Sequence, residues 1–346
     1  MSGPAADRGR LPLAAIFGCA GLRISPTERS FFRACDPLGF ILFDRNIRDP
    51  DQVRRLIEDL RGSVGRDDAP VLIDQEGGRV ARLKPPHWRI APPPARFAAL
   101  YEADPERAVA AARLNAQLIA AELADLGITV DCAPVLDVPQ ADADPIIGDR
   151  AAGRTPEETV VLGQAICDGL LDEGVLPVIK HVPGHGRATV DSHKKLPVVA
   201  TSVQELDRVD FAPFRALKAM PWAMTAHVVY SAIDADRPAT LSPSVVQQVI
   251  RDRIGFAGLL LSDDLGMQAL EGDMGARAAG ALEAGCDVVL HCSGNMDEME
   301  AVAAGAIALT RAGGQRFARG EAMRRRRGGF DSVAARRRLD HLLTEA

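Results

Sequence analysis

The sequence is poor in aromatic residues, since Phe, Trp and Tyr make up only 4% of its 346 residues. Proteins that bind single-stranded nucleic acid stack bases on such side chains, so this composition argues against that class. The formal net charge of −6 offers no general attraction to nucleic acid or anionic lipid. No apolar run approaches the roughly 18 residues of a membrane span. We therefore expect neither a nucleic-acid partner nor a membrane partner.

The sequence also lacks paired cysteines. Its six cysteines contain no Cys-x-x-Cys motif, a pattern typical of a cytoplasmic protein with reduced, mostly buried thiols. One segment offers an alternative. Arg8 and Arg10 precede an apolar stretch over 11–19 that loosely resembles a short secretion signal ending at Cys19. Because Pro12 interrupts this stretch, we predict that it forms a first core strand and that the protein is cytoplasmic.

What the sequence does contain is a regular alternation of apolar runs and helical patterns. Predicted helices include 50–64, 105–127, 155–174 and 242–255, and several begin after Ser, Thr or Asp and end near Gly. The apolar runs lack a two-residue alternation, which indicates strands that are buried on both faces. The eight runs are 11–19, 39–44, 69–74, 127–138, 175–183, 222–230, 256–265 and 286–292. Eight strands alternating with helices predict a (β/α)8 TIM-type barrel.

No linker rich in Pro, Gly or Ser divides the chain, so we predict a single catalytic barrel domain over 1–346. The Pro-rich stretch 84–97 is predicted to be an ordered surface loop. From about residue 314 to 346 we predict a basic C-terminal tail, which contains the arginine runs 324–327 and 336–338. This tail is either a solvated helix end that frays or a basic docking patch.

Polar residues recur where the predicted strands end, which is where barrel enzymes place their active sites. A structural network explains one or two such residues, but several at the same end indicate a pocket. They are Asp74, Lys180, His181, Asp263 and Asp264, while His227 lies within the sixth run.

The longest polar motif is KHVPGHGRATVDSHKKLP, over 180–197. A metal site is one interpretation. However, Pro183 and Gly184 separate His181 from His185, so these histidines cannot share a helical face as in HExxH sites. The other interpretation pairs Asp191 with His193. A carboxylate that accepts a hydrogen bond from one ring nitrogen raises the basicity of the other nitrogen, which favours acid/base catalysis.

Taken together, IDQEGGRVARL (73–83), DPIIGDRA (144–151), KHVPGHG with DSH and LP, and LSDDLGM (261–267) resemble the family-three glycoside hydrolases. More narrowly, they resemble the bacterial cytoplasmic β-N-acetylhexosaminidases of cell-wall recycling. The resemblance extends from about residue 12 to about residue 300. It implies a (β/α)8-type barrel, in agreement with the strand count, and no cofactor or metal.

The resemblance also assigns roles to residues. It makes Asp263 the nucleophile that forms a covalent glycosyl-enzyme, and His193 the acid/base that Asp191 orients. The sugar hydroxyls and the N-acetyl group would be held by Asp74, Arg82, Arg150, Lys180 and His181. Asp264 is expected to cap or support the strand end instead.

Some positions depart from the family pattern or stay undecided. Val182 stands where Phe is common, Arg187 where many members have Asp, and 151–153 is AAG instead of SF; we expect each to touch the pocket rim. His227 is equally compatible with a core histidine and a pocket-lining one. Glu76 precedes Gly77 and Gly78, which predict a tight turn, so we do not expect it to be catalytic.

The expected activity is retaining, exo-acting removal of terminal β-linked N-acetylglucosamine from a small sugar or muropeptide of the 1,6-anhydromuramoyl type, by a monomer. Three alternatives remain open. A β-N-acetylglucosamine phosphorylase on the same scaffold is the nearest, because a histidine acid/base does not repel phosphate as a carboxylate does. The others are a metal-dependent hydrolase and an inactive sugar-binding protein.

Overall fold

The computed structural model describes residues 11–324 and 328–344, and a closed barrel of eight parallel strands lies at its centre. Every predicted apolar run overlaps one barrel strand, so the predicted (β/α)8 barrel is confirmed. Strands that follow one another around the barrel are hydrogen-bonded, and Ala15 pairs with Val289 where the last strand meets the first. The barrel strands are β1 (Leu13–Phe17), β2 (Pro37–Leu42), β3 (Val71–Ile73), β4 (Val130–Asp131), β5 (Leu176–Val182), β7 (Trp222–Thr225), β9 (Leu259–Asp264) and β10 (Val288–His291).

Two further strands, β6 (Val198–Val199) and β8 (Val229–Tyr230), form a small parallel sheet outside the barrel. The prediction of one continuous strand over 222–230 was therefore wrong. The barrel strand ends at Thr225, and Ala226 still donates to the carbonyl of Val182 at 2.8 Å. Beyond it the chain turns outward and Val229 pairs with Val198, because the loop after β5 supplies a second partner strand.

The helices follow the predicted start and stop residues closely. Asp49 caps α2 by accepting from the Gln52 N–H, and Gly65, with a φ of 65°, ends it. The α-helices are α1 (Pro26–Cys35), α2 (Pro50–Val64), α3 (Pro94–Tyr101), α4 (Pro105–Leu126), α5 (Pro156–Asp172), α6 (Val203–Val209), α7 (Phe211–Ala216), α8 (Met274–Ala284), α9 (Met296–Gly305), α10 (Arg311–Met323) and α11 (Ser332–Thr344). The segment predicted as a helix over 242–255 forms a π-helix, Val245–Arg253, instead of an α-helix. The Pro-rich stretch is a loop until α3 begins at Pro94, where a missing N–H costs no hydrogen bond.

Side chains of the barrel strands are buried on both faces. On β5, Leu176 and Val178 pack inside the barrel, whereas Ile179 packs toward the helices. This two-residue alternation places Lys180 on the interior side near the end of β5. The same periodicity that builds the core thus directs a charged side chain into the mouth of the barrel.

The described parts of segment 11–19 and of the basic tail pack against the rest of the protein. Residues 13–17 form β1, while Arg8 and Arg10 lie outside the described residues. Within the basic tail, α11 buries Ala335 and Leu339 in a cluster with residues of α3 and α4, and the arginines at 336–338 are exposed. Positions 325–327 of the first arginine run lie outside the described residues. Over the described ranges, every helix is too short or too polar to cross a membrane.

Candidate active site

A cavity of about 350 Å³ opens at the carboxyl ends of the barrel strands. Its wall includes seven of the eight residues predicted from the sequence. The seven are Asp74, Arg82, Arg150, Lys180, His181, His193 and Asp263. The eighth, Asp191, lies beside His193 and accepts a hydrogen bond from its ring. Tertiary folding therefore brings all eight residues to one place from segments more than 100 positions apart in the chain.

An ion-pair network forms the floor of this cavity. Lys180 Nζ lies 2.9 Å from Asp74 Oδ1 and 2.7 Å from Glu76 Oε1. Arg150 holds both oxygens of Glu76, at 2.9 Å and 2.8 Å, and Arg82 lies 3.2 Å from Asp74 Oδ2. Three cationic groups thus share two carboxylates. The excess of N–H donors fits a site that binds the hydroxyl and carbonyl oxygens of a ligand.

Burial and pairing act in opposite directions on these groups. Burial raises the pKa of Asp74 and of Glu76, but Lys180 together with Arg82 or Arg150 lowers each pKa below its usual value. Burial lowers the pKa of Lys180, but the two carboxylates outweigh it and raise that pKa. All three groups are therefore charged at neutral pH, and their geometry depends on mutual pairing.

Glu76 is central to this network, although the sequence pointed only to the turn after it. That turn is present, with Gly77 and Gly78 at φ values of 97° and 57°. We expect Glu76→Gln to reduce the free energy of unfolding by about 3–5 kcal/mol, because it leaves buried Arg150 without a charge partner and buried Lys180 with Asp74 alone. Urea unfolding measures this loss. Asp44→Asn, which removes the exposed partner of Lys84, is the matched control and should change stability little; equal effects of the two substitutions would contradict the expectation.

Asp137 orients His181 and was missed in the sequence. Its Oδ2 lies 2.7 Å from His181 Nδ1, and its Oδ1 accepts the backbone N–H of His181 at 3.1 Å and of His185 at 2.6 Å. Burial raises the pKa of Asp137, but its contacts with His181 outweigh burial and lower that pKa. An ionised Asp137 fixes the tautomer of His181 with the proton on Nδ1, which leaves Nε2 as an acceptor beside the cavity.

Asp131, at the end of β4, lies beneath the ion-pair network. Its Oδ1 accepts the backbone N–H of Gln75 at 2.9 Å, whereas its buried Oδ2 has no hydrogen-bond partner among the described residues. Burial raises the pKa of Asp131 to about 7. Both Asp131 and Asp137 are acids within the apolar run 127–138. This unusual position was the feature of the sequence that could have identified them.

The raised pKa gives a pH-dependent prediction. The folded protein holds the Asp131 proton more tightly than the unfolded chain, so this group reduces stability as pH rises through about 7. We expect Asp131→Asn to gain roughly 2–3 kcal/mol in unfolding free energy, relative to wild type, between pH 5 and pH 8. Urea unfolding at both pH values measures it. Asp137→Asn, which removes a group ionised at both pH values, should show no such change; a gain that is the same at pH 5 and pH 8 would argue against a titrating Asp131.

Asp263 and Asp264 end β9 and have different surroundings. The Asp264 carboxylate accepts the backbone N–H groups of Gly266 at 3.1 Å and Cys292 at 3.0 Å, so it holds the turn after the strand. Asp263 accepts only the N–H of Asp264 among side-chain hydrogen bonds of the described residues, and its carboxylate lines the cavity. Burial raises the pKa of Asp263, but the nearby His227 and His181, the Asp264 N–H and the charge of Lys180 together outweigh burial and lower that pKa. Asp263 is thus ionised and available to a ligand.

His227 is a core histidine with both ring nitrogens bonded. Its Nε2 donates to the carbonyl of Asp264 at 3.0 Å, and its Nδ1 lies 2.7 Å from Thr240 Oγ1. Burial lowers the pKa of His227, which favours the neutral ring. His227 therefore supports the strand end that carries Asp263. Of the two roles compatible with the sequence, these contacts favour the core histidine over the pocket-lining one.

His193 and Asp191 lie on the loop between β5 and β6. His193 Nδ1 lies 2.8 Å from Asp191 Oδ1, which also accepts the His193 backbone N–H at 2.9 Å. The His193 side chain is 59% exposed, so its Nε2 edge is accessible to a ligand in the cavity. This geometry is that of an imidazole oriented by a carboxylate.

The expectation that the departing positions touch the pocket rim was wrong. The cavity wall drawn from the described residues contains neither Val182, Arg187 nor any residue of 151–153. Val182 packs toward the helices, and Ala151 packs against Val135. Arg187 instead forms ion pairs with Asp210 at 2.7 Å and Glu205 at 3.1 Å, since its side chain extends away from the cavity toward α6.

Comparison of the sequence with known proteins identifies the family to which the chain belongs. Residues 23–313 match the family model described as the Glycosyl hydrolase family 3 N terminal domain. The chain therefore belongs to glycoside hydrolase family 3, and it is an enzyme of the glycosidase class. It is 42% identical to a beta-hexosaminidase of Methylococcus capsulatus over 80% of this chain and 82% of that protein. A beta-hexosaminidase of Alkalilimnicola ehrlichii is 40% identical over 80% of both chains.

Solved structures narrow the likeness further. The chain superposes on NagZ from Neisseria gonorrhoeae with a TM-score of 0.86 and 30% identity, covering 97% of this chain and 99% of that one. A family 3 beta-N-acetylglucosaminidase from Paenibacillus gives a TM-score of 0.78 and 32% identity, covering 94% of this chain and 61% of that one. The protein is thus a family 3 hydrolase of the beta-hexosaminidase and NagZ type, as the sequence motifs indicated.

Proposed function

We propose that the protein is a retaining exo-β-N-acetylglucosaminidase. One observation carries the proposal: ionised Asp263 and the Asp191-oriented His193 line the same cavity, although they are 70 positions apart in the chain. Retaining glycosidases need a nucleophile and an acid/base group that flank one glycosidic bond. A single small cavity with the cationic floor described above suits one terminal sugar, which supports exo action.

In the proposed reaction, Asp263 attacks the anomeric carbon while the doubly protonated His193 transfers its Nε2 proton to the leaving oxygen. The glycosidic bond breaks and a covalent glycosyl ester on Asp263 forms. His193 Nε2 then takes a proton from water, whose oxygen attacks the anomeric carbon and releases Asp263 as a carboxylate. Asp191 stabilises the charged imidazole in the first step and keeps its ring oriented in the second.

The binding residues have distinct proposed roles. Asp74 accepts hydrogen bonds from sugar hydroxyls, while Arg82, Arg150 and Lys180 donate to sugar oxygens and to the carbonyl of the N-acetyl group. His181 Nε2 accepts from a hydroxyl near the reacting carbon. This division follows from the donors and acceptors that the ion-pair network leaves toward the cavity.

For the substrate, we propose terminal N-acetylglucosamine β-linked to a 1,6-anhydromuramoyl sugar or peptide, as in cytoplasmic cell-wall recycling. The support is the motif set and the similarity to beta-hexosaminidases and to NagZ, one structure of which is described as a complex with N-trifluoroacetyl-D-glucosamine. We propose that the protein works as a monomer without a metal or cofactor.

Proton NMR of the first product tests the proposed function. With nitrophenyl β-N-acetylglucosaminide we expect the β-anomer of free N-acetylglucosamine to appear before the α-anomer, because two displacements restore the configuration. Phosphate should leave the product unchanged, and a chelator should leave the rate unchanged. If the α-anomer appears first, the reaction is not retaining. A sugar phosphate as product would overturn hydrolysis, and loss of activity with a chelator would overturn metal independence.

A further inference from the structure

The segment 191–195, which carries Asp191 and His193, has one buried residue. Over 191–195, Ser192 alone is buried, with 4% of its surface exposed, while His193, Lys194 and Lys195 are exposed. A residue that is buried between two functional side chains restricts where both can point, because its Cα is fixed between theirs. Ser192 is therefore the place at which the position of the pair is decided.

The contact that holds Ser192 comes from His185. Its Nε2 lies 3.0 Å from Ser192 Oγ, and His185 is buried, with 4% of its surface exposed. His185 is itself fixed, since its backbone N–H donates to Asp137 at 2.6 Å. The next residue, Gly186, packs so closely that an added Cβ would lie 2.0 Å from the carbonyl of Val138. The chain at 185–186 is thus pressed against the end of the segment that carries Asp137.

The direction of this hydrogen bond follows from the other ring nitrogen. His185 Nδ1 is buried and contacts no hydrogen-bonding atom within the described part of the chain. A buried N–H without an acceptor is costlier than a buried acceptor without a donor. The ring proton therefore resides on Nε2 and is donated to Ser192 Oγ. Burial lowers the pKa of His185 to about 4, which keeps this ring neutral and able to donate in this way.

We infer that His185 is a positioning residue that, through Ser192, holds the Asp191–His193 pair over the cavity. This inference rests on the proposed function of that pair. Asp137 links His185 to the sugar-binding residues. It orients His181 beside the cavity with one oxygen and accepts the backbone N–H of His185 with the other. One buried carboxylate thereby sets the relative position of a sugar-binding histidine and of the loop that supplies the proton.

Kinetics of Ser192→Ala and of His185→Phe test the inference. With a disaccharide substrate we expect each to lower kcat about 10-fold with little change in KM, since the sugar-binding floor is untouched and only the proton donor is displaced. The double variant should be no slower than either single variant, because both remove one contact. His185→Gln, whose amide nitrogen can occupy the Nε2 position, should restore most of kcat, and Lys195→Ala in the same loop is the control that should match wild type.

Amide hydrogen exchange over 187–195 provides a readout besides activity. We expect faster exchange in Ser192→Ala and His185→Phe than in wild type and Lys195→Ala. Unchanged exchange would overturn the inference that His185 and Ser192 hold this loop. Losses of kcat that multiply in the double variant, or a change in KM alone, would also overturn it. If wild type fails to hydrolyse the substrate, the proposed function fails, while exchange still decides whether His185 and Ser192 hold the loop.

Discussion

Asp263→Ala is expected to abolish turnover of nitrophenyl β-N-acetylglucosaminide, with kcat reduced by at least about 10³-fold. The reason is that the proposed reaction forms its covalent bond at this carboxylate. Among the carboxylates that line the cavity, Asp74 pairs with cations and Asp264 holds a turn through two backbone N–H groups. Asp263 is ionised and accepts only the N–H of Asp264 among the described residues. The assay is steady-state release of nitrophenol at saturating substrate.

Asp263→Asn separates loss of charge from loss of shape, because the amide keeps the volume of the side chain. Both variants should still bind N-acetylglucosamine, since the groups proposed to hold the sugar lie on other segments of the chain. Circular dichroism and product binding by calorimetry establish that the fold and the site persist. Turnover near the wild-type rate in either variant would remove Asp263 from the mechanism.

His193→Ala is expected to have the second largest effect, about 10²–10⁴-fold on kcat for a disaccharide. A nitrophenolate leaves without a proton, so the first step on the nitrophenyl substrate should be slowed much less than the second. We therefore expect a burst of nitrophenol followed by slow turnover, as the glycosyl ester on Asp263 accumulates. Rapid-mixing kinetics measure the burst, and mass spectrometry detects the added sugar.

His87→Ala is the matched control for this variant. His87 is exposed on the loop at 84–97, where its ring contacts Trp88. His87→Ala should match wild type both in the early release of nitrophenol and in the turnover of both substrates. If His193→Ala slowed both steps equally with every leaving group, the imidazole would not be the proton donor of the first step.

Local patterns were sufficient to predict the barrel, and the motifs predicted seven residues of the cavity wall. Strand ends are encoded by a change from apolar to polar residues, as at Ile73 followed by Asp74. Because parallel strands place these ends on one face, the motifs converge without knowledge of any distance. The break at Thr225 was missed, since Val229 and Tyr230 are as apolar as the strand before them and differ only in their partner, β6.

Contacts between side chains far apart in sequence were not predictable in this way. Glu76 sits before a turn, and nothing local indicates that Lys180 and Arg150 reach it from two other segments. Asp137 and His185 were visible as residues but not as partners. The rim positions Val182 and Arg187 were assigned to the pocket because they adjoin its motif, whereas their side chains extend toward the helices.

By itself, the sequence determined the barrel and the family, and it predicted which groups are chemically active, because periodicity and motif spacing are properties of neighbouring residues. Only the tertiary structure decided which acid is free and which is engaged, how the buried cations are balanced, and what holds the loop of His193 in place. These depend on desolvation and on charge pairs that form when distant segments meet, so they exist only in the folded chain.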